Sequence, residues 1–338
     1  MSTEPRELRA PGKAMILGEY VVLDGAPALV AAMDRYAHAR LEYTDGDRAI
    51  EITTSLSEVA WRLRDAAGTL HAAPSSHFSL VEAVIQTLEE HAIALPAGGL
   101  RLHLDSSSLG ADQKLGLGSS AAVAAIATLA LSGEAGRSLP TDAAIHAIAD
   151  TAHRRFQGGA GSGADVAAAC LGGMLRIESG QPPRRLDAPP PKMLVVFTGY
   201  EADTREFVRE VRARAEQEGV REALAQMRDA AIRGADAYEA SDFTSFFNAV
   251  SEFHRGEVAL TRASGVPVVT AEIARAVEIF EACGGVGKAS GAGGGDIVLG
   301  FFSTQEALDA ARARVISAGL EPIKLGLEWR GVLETSGF

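Results

Sequence analysis

Features that define several common protein classes are scarce in this 338-residue chain. It has only two cysteines, Cys170 and Cys283, too few for a disulfide framework or a cysteine-based zinc site. No apolar run reaches the roughly 18 residues that a membrane-spanning helix needs. The N-terminal residues carry charges and have no apolar core, unlike a secretory signal. These absences predict a soluble cytoplasmic protein.

Basic residues are also fewer than acidic ones. The 32 Lys and Arg residues are outnumbered by 44 Asp and Glu residues, which gives a formal net charge of -12. A general nucleic-acid binder needs a basic surface, so that function is not expected. A few well-placed cations could still create a site for a small anion. The hydrophobic content of 47% is that of a globular protein, and the length allows two domains.

Strand and helix patterns alternate along the chain and predict an α+β protein. Residues 37–43 and 100–104 have strand patterns, the second with leucine at alternate positions. Ser79 followed by Glu82 predicts a helix that starts with a capping box. Thr141 precedes a second helical pattern.

A proline-rich segment, 181–191, separates the two halves. It cannot hold a helix or a central strand, which predicts a linker or crossover between domains 1–188 and 189–338. The second half then predicts strands at 193–197 and 297–302, a helix capped by Thr204, mainly helical sequence to about residue 262, and helices from Thr270 and Gln305.

The segment 114–131, KLGLGSSAAVAAIATLAL, predicts a phosphate site. Gly116 and Gly118 allow the backbone to approach an anion, and Ser119 and Ser120 stand where an alanine-rich helix begins. Free N–H groups and the positive dipole end at a helix start favour phosphate. The Walker pattern GxxxxGK[ST] is absent. A glycine-rich turn before a buried helix is an equally good interpretation of this segment alone.

Two further glycine segments are ambiguous by themselves. In 11–32, Lys13 could present a charge at a site, and Glu19 and Tyr20 interrupt an apolar run, yet an ordinary strand with a surface lysine fits better. In 288–301, SGAGGGD followed by an apolar strand favours a packed functional loop over a flexible hairpin, because glycine clusters destabilise unless the backbone needs them.

The segment 152–173 places a carboxylate, Asp165, after Gly-Ser-Gly at a helix start, where the dipole favours negative charge. Simple helix capping is the alternative. His153 is expected to pack or hydrogen-bond, since it has no partner at metal-ligand spacing.

Taken in order, PGKAMILGEYVVL, GLGSSAA and SGAGGGD resemble the three motifs of the GHMP kinase superfamily, which includes galactokinase, homoserine kinase, mevalonate kinase and phosphomevalonate kinase. The resemblance implies a two-domain fold with an N-terminal domain like domain 2 of ribosomal protein S5 and a ferredoxin-like C-terminal domain. ATP would bind with its phosphates over 116–120, together with Mg²⁺.

The resemblance also implies roles for individual residues. Lys13 and Asp165 would be catalytic, and Ser120 would be the metal ligand. Nucleotide contacts are expected at Lys114, Gly116, Leu117, Gly118, Ser119, Ser120 and Ala121. Contacts to the acceptor are expected at Lys13, Glu19, Tyr20, Ser162, Gly163, Ser290, Gly291, Gly293 and Gly294.

Within the superfamily, the segment 152–173 is similar to the phosphomevalonate kinase pattern, in which His and Gln precede GSGxDVAAA. Mevalonate kinases typically have an acidic magnesium ligand upstream, and 152–155 offers no carboxylate. The expected substrate is therefore 5-phosphomevalonate, with mevalonate kinase as the alternative and a ligand-sensing homologue that has lost catalysis as the third. A monomer or homodimer without nucleic-acid or membrane partners is expected.

Overall fold

The computed structural model describes residues 5–44, 48–110, 115–133, 141–159, 161–201 and 204–335, which contain two β-sheets with helices packed on them. The strands are β1 (Arg6–Leu17), β2 (Ala28–Thr44), β3 (Ile50–Thr54), β4 (Ser57–Arg64), β5 (Gly99–Asp105), β6 (Met174–Ile177), β7 (Arg184–Leu186), β8 (Lys192–Phe197), β9 (Val286–Ala289), β10 (Ile297–Phe302), β11 (Glu321–Ile323) and β12 (Leu333–Thr335). The α-helices are α1 (Ser79–Glu90), α2 (Ser119–Leu131), α3 (Asp142–Phe156), α4 (Ala164–Leu171), α5 (Thr204–Ala213), α6 (Glu218–Glu239), α7 (Phe243–Ser264), α8 (Ala271–Ala282) and α9 (Gln305–Ser317).

The first sheet has the order β12-β1-β2-β5-β3-β4, and β6 and β7 extend it from β2. The β3–β5 pair is parallel and the other pairs are antiparallel. The predicted alternation in β5 is confirmed, because Leu100, Leu102 and Leu104 are buried while Arg101 and His103 are exposed. Helices α1 to α4 pack together over this sheet and place the starts of α2 and α4 beside β1.

The second sheet is antiparallel with the order β11-β8-β10-β9. Alternate residues of β8 pack into two different hydrophobic cores, one on each face of the sheet. Leu194 and Val196 pack with α8 and α9, whereas Phe197 joins the core that contains Phe246 and Phe253 of α7. Helices therefore cover both faces of the sheet. This strand order, with helices before β9 and between β10 and β11, is the predicted ferredoxin-like arrangement.

The two halves are joined more closely than a single linker would require. The final strand, β12, returns to the first sheet and pairs with β1, with Leu8 opposite Glu334. Before it, Gly173 donates to the carbonyl of Glu328 at 2.7 Å. The domain boundary at 188/189 stays a prediction, although residues 188–191 do lead from β7 of the first sheet to β8 of the second.

Most predicted element starts are confirmed, but two predicted caps are wrong. Thr204 is the first residue of α5 and not the cap before it. Thr141 and Thr270 cap α3 and α8, and each hydroxyl accepts a backbone N–H. The capping box at Ser79 does not form, because Ser79 is already helical and follows a 3-10 turn. Phe78 precedes it, fully buried with its ring 5.7 Å from that of Trp61, so core packing sets this helix start. Among the described residues, no helix is both long and apolar enough to cross a membrane.

The return of the C-terminal segment depends on a close backbone contact. A Cβ at Gly331 would lie 1.9 Å from the carbonyl oxygen of Cys170, in the last turn of α4. We expect Gly331→Ala to lower the free energy of unfolding by about 1–3 kcal/mol, the usual cost of overpacking. The matched control is Gly98→Ala, whose Cβ would meet nothing within 4 Å. Urea unfolding tests this, and equal midpoints for the two variants would contradict it.

Candidate active site

The predicted phosphate loop leads directly into α2. Gly116 and Gly118 have positive φ angles of 67° and 75°, and the helix begins at Ser119 as predicted. Neither glycine has room for a side chain. A Cβ at Gly116 would lie 2.5 Å from an Asp296 carboxylate oxygen, and one at Gly118 would lie 3.1 Å from Lys13 Cγ. The loop therefore brings a carboxylate and an ammonium group to the start of a helix.

Strand β1 fixes the position of Lys13 relative to this loop. The backbone N–H of Lys13 donates to the carbonyl of Leu117 at 2.8 Å. A Cβ at Gly12 would lie 2.9 Å from that same carbonyl oxygen, so only glycine allows this approach. The same Cβ position on Gly118 that approaches Lys13 would lie 3.6 Å from Cβ of Asp165. The two predicted catalytic residues thus meet across one glycine.

Several charges act on the ammonium group of Lys13. Burial lowers its pKa, while the carboxylates of Asp165, Asp296 and Glu19 oppose that shift and Lys288 adds to it. Lys13 is consequently a cation among three carboxylates, at a place where its charge state is sensitive to added anions. Asp165 stands in the first turn of α4, as predicted, and its Oδ1 accepts the N–H of Val166 at 3.0 Å.

Ser120 is oriented by a buried histidine. Its hydroxyl lies 2.9 Å from Nε2 of His153, which is 2% exposed, and Gln157 Nε2 lies 3.3 Å from the same nitrogen. When His153 carries its proton on Nδ1, the one lone pair of Nε2 accepts from the Ser120 hydroxyl, the nearer of the two neighbours. The hydroxyl proton of Ser120 then points at His153, and its oxygen lone pairs are directed elsewhere. His153 therefore hydrogen-bonds within the fold, in the way the sequence predicts.

The loop before α4 borders a cavity of about 310 Å³ that includes Ser162 and Gly163 in its lining. Arg154 fixes this loop by donating to the carbonyl of Gly161 at 2.7 Å and to Asp150 at 2.8 Å. A Cβ at Gly163 would lie 2.5 Å from Asp150 Oδ1, so the glycine is required here as well. Val22, His146, Glu178 and Gln181 also line the cavity.

The third glycine segment is the turn between β9 and β10, and it is tied to the first motif. The Ser290 hydroxyl accepts the N–H of Met15 and donates to its carbonyl, each at 3.0 Å. Gly291 donates its N–H to Glu19 at 3.2 Å, and the Tyr20 hydroxyl donates to a carbonyl in the same turn. This turn is packed against the first domain. It is therefore a packed loop, which the sequence favoured over a flexible hairpin.

The remaining predicted residues fall into three groups. Gly293 and Gly294 face the second domain, since a Cβ on either would lie 2.1 Å from Val268 or Phe207. Leu117 and Ala121 have buried side chains and present only backbone to the loop, while Ser119 is exposed. Lys114 lies outside the described residues.

The fold brings to this region some residues for which the sequence predicted no role. Asp296, with its strained φ of 52°, was interpreted as part of a packed functional loop and given no role of its own, although its carboxylate faces Gly116. Lys288, Glu257 and His254 are buried near Glu19. A usable signal for Glu257 was a charge on the apolar face of α7. The Arg155 side chain does not turn to the loop, because it pairs with Glu90 at 2.6 Å.

Comparison with known proteins agrees with this geometry. A family model described as GHMP kinases N terminal domain matches residues 79–173, and one described as GHMP kinases C terminal matches residues 227–321. Together they span more than half of the chain. The protein therefore belongs to the GHMP kinase family.

Two relatives and one solved structure are similar to this chain over most of its length. A phosphomevalonate kinase of Streptomyces sp. (strain CL190) is 28% identical, over 98% of this chain and 100% of that protein. A mevalonate kinase of Aeropyrum pernix is also 28% identical, over 88% of each. The fold matches the Streptococcus pneumoniae phosphomevalonate kinase in complex with phosphomevalonate and AMPPNP, with a TM-score of 0.79, 18% identity, and 95% and 99% of the two chains covered.

The lowered pKa of Lys13 predicts an alkaline loss of kinase activity. Deprotonation removes the cation between the carboxylates, so kcat/KM should fall as pH rises, below the usual lysine pKa of about 10.4. Lys13→Arg keeps its charge, because a guanidinium titrates above about 12, and its residual activity should lack this decline. Lys13→Met should lose nearly all turnover with little change in Tm. A decline that persists unchanged in the arginine variant would assign the titration to another group.

Proposed function

We propose that the protein transfers the γ-phosphoryl group of ATP to 5-phosphomevalonate and releases the 5-diphosphate. The observation that carries phosphoryl transfer is the meeting of Lys13 and Asp165 across Gly118, at the start of α2. The full-length match to a phosphomevalonate kinase supports the acceptor, as does the fold match to a structure that contains phosphomevalonate and AMPPNP.

In this proposal the protein positions its substrates and offsets their charge. The N–H groups at the start of α2 bind nucleotide phosphates, and the Lys13 ammonium offsets charge on the transferring phosphoryl group. Asp165 orients the acceptor and holds Lys13 in place. Preorganised charges of this kind supply most of the catalysis in phosphoryl transfer, because the protein forms no bond to the phosphoryl group.

The donor atoms at this site fit magnesium. Mg²⁺ prefers oxygen ligands, and it usually keeps several waters and binds through one or two protein groups plus substrate phosphates. Ser120 offers a hydroxyl oxygen, whose proton points to His153 when that histidine is protonated on Nδ1, and Asp165 and Asp296 border the same loop. Ser120 with a neighbouring carboxylate would hold the ion, which supplies neutralisation of phosphate charge when bound.

The neighbours of Ser120 favour a phosphate acceptor over an alcohol. His153 lies beside Ser120, and Gln157 contacts His153. The stretch 152–155, where the resemblance implies an acidic magnesium ligand in mevalonate kinases, offers no carboxylate. A phosphate monoester has a second pKa of about 6 and is already mostly dianionic at neutral pH. As an acceptor it therefore needs no base to remove a proton. The second candidate is a mevalonate kinase, which the Aeropyrum pernix relative supports. A ligand sensor is the third, although a sensor has no need to keep Lys13 and Asp165 together.

Removing the Ser120 hydroxyl tests the magnesium assignment. Ser120→Ala should weaken magnesium-dependent turnover by about 2–4 kcal/mol of transition-state stabilisation, by analogy with the loss of one oxyanion donor. The fold should survive, since Ser120 is only partly buried. The measurement is turnover across a magnesium titration, with thermal unfolding as the control. Wild-type turnover at every magnesium concentration would refute the assignment.

The acceptor is tested by ADP release with mevalonate, 5-phosphomevalonate, homoserine and galactose at equal concentrations. We expect a clear preference for 5-phosphomevalonate. Asp165→Asn should then lose turnover through lost positioning, and raising the pH should not restore it, because the dianion requires no deprotonation. Phosphorylation of an alcohol acceptor would instead be about 100- to 10,000-fold faster with a positioned general base. Preference for another acceptor would overturn the substrate, and no activity with any acceptor would favour a sensor.

A further inference from the structure

A group of ionisable side chains lies buried behind the third glycine segment. Lys288 on β9 is 0% exposed, Glu257 on α7 is 1% exposed, and Glu19, in the turn after β1, is 4% exposed. His254, one turn before Glu257 on α7, is also buried. None of them belongs to the nucleotide loop, and three come from the second domain.

These side chains form a continuous chain of contacts. The Lys288 ammonium donates to Glu19 Oε1 at 2.5 Å and lies 3.7 Å from Glu257 Oε1. The other oxygen of Glu257 accepts the N–H of Ala289 at 3.3 Å and lies 3.1 Å from His254 Nδ1. Helix α7 is thereby connected to the turn after β1 through one lysine.

The chain of contacts ends at the catalytic side of the molecule. Glu19 Oε1, which accepts from Lys288, also accepts the N–H of Gly291. A Cβ on Gly291 would meet nothing within 4 Å, so this residue borders open space. Its neighbour Ser290 holds Met15, two residues beyond Lys13. The same turn ends at Asp296, against Gly116. A shift of this turn would therefore move Asp296 relative to Lys13.

Stability alone is a poor explanation for these charges. Buried ion pairs often contribute less than well-packed apolar side chains, because the desolvation of both ions must be offset. Burial raises the pKa of Glu19 and Glu257 adds to this, whereas Lys288 opposes it. Lys288 therefore favours a charged Glu19, the form that accepts hydrogen bonds most strongly. Glu19 Oε2 is buried with no partner, which leaves one more acceptor beside the turn.

We propose that Glu257 and Lys288 are positioning residues for phosphoryl transfer. Glu257 holds the Lys288 ammonium in place, and Lys288 acts through Glu19 to hold residues 290–296 in register with β1. The kinase activity proposed above is assumed here, but the identity of the acceptor is not. Neither residue touches the reacting groups. Their effect is to fix the distance between Lys13 on β1 and Asp296 at the end of the turn.

The test substitutes Glu257→Gln, which removes the charge and keeps an oxygen that can accept from Ala289. We expect hydrogen exchange to become faster in peptides covering 290–296, and to stay unchanged in peptides from α7 and β10. The kcat should fall by about 10- to 100-fold, as misplacement of about 1 Å can cause, while the KM for ATP stays within about twofold. Glu252→Gln is the matched control on the same helix, because Glu252 pairs with Arg233 at the surface.

The exchange measurement separates this inference from the proposed function, since it needs no turnover. Unchanged exchange in 290–296 would overturn the inference even for an active enzyme. Faster exchange throughout the second domain would also overturn it, because that outcome means general destabilisation. If Glu257→Gln does not fold, His254→Gln provides the same test with a smaller expected effect.

Coupling between distant positions gives a second test. Glu19 and Glu257 both contact Lys288, so their effects should not be independent. The loss of kcat in Glu19→Gln/Glu257→Gln should match that of the more damaging single variant. Losses that multiply would show that Glu257 does not act through Glu19, and would overturn the inference.

Discussion

The approach of β1 to the phosphate loop is the constraint on which the rest of the site depends. The Lys13 N–H donates to the Leu117 carbonyl, and the two segments lie so close that a side chain would not fit at Gly12 or Gly118. This contact places the Lys13 side chain at the start of α2, where the helix dipole already favours anions. Asp165 can then reach the same point from α4, so three elements converge on one small volume.

Local patterns were sufficient to predict much of this arrangement. The starts of α2 at Ser119 and of α9 at Gln305, and the whole of β10, follow from glycine, helix-start and apolar-run patterns within a few residues. The capping box at Ser79 failed because the burial of Phe78 against Trp61 decides where that helix begins. A tertiary contact of this kind leaves no local signature, and it overrides a weak capping preference.

The contacts that organise the candidate site are mostly distant in sequence. The Asp296 carboxylate meets Gly116, and Ser290 binds Met15 across 275 positions. The order of the motifs indicated that these segments belong together, but the pairing of particular atoms depends on how the two sheets pack. His153 illustrates the difference, because the sequence predicted that it would pack or hydrogen-bond, whereas its contact with Ser120 requires the helices to be assembled.

Charge balance links the catalytic residues to the buried chain behind them. Asp165, Asp296 and Glu19 all act on Lys13, and Lys288 counters part of their effect. Bound phosphates would add negative charge to a protein whose formal net charge is already -12. Lys13 and the start of α2 must supply local positive potential against that background, with a metal ion adding to it when bound. Small movements of the turn at 290–296 would change this balance, since they alter how far Asp296 and Glu19 lie from Lys13.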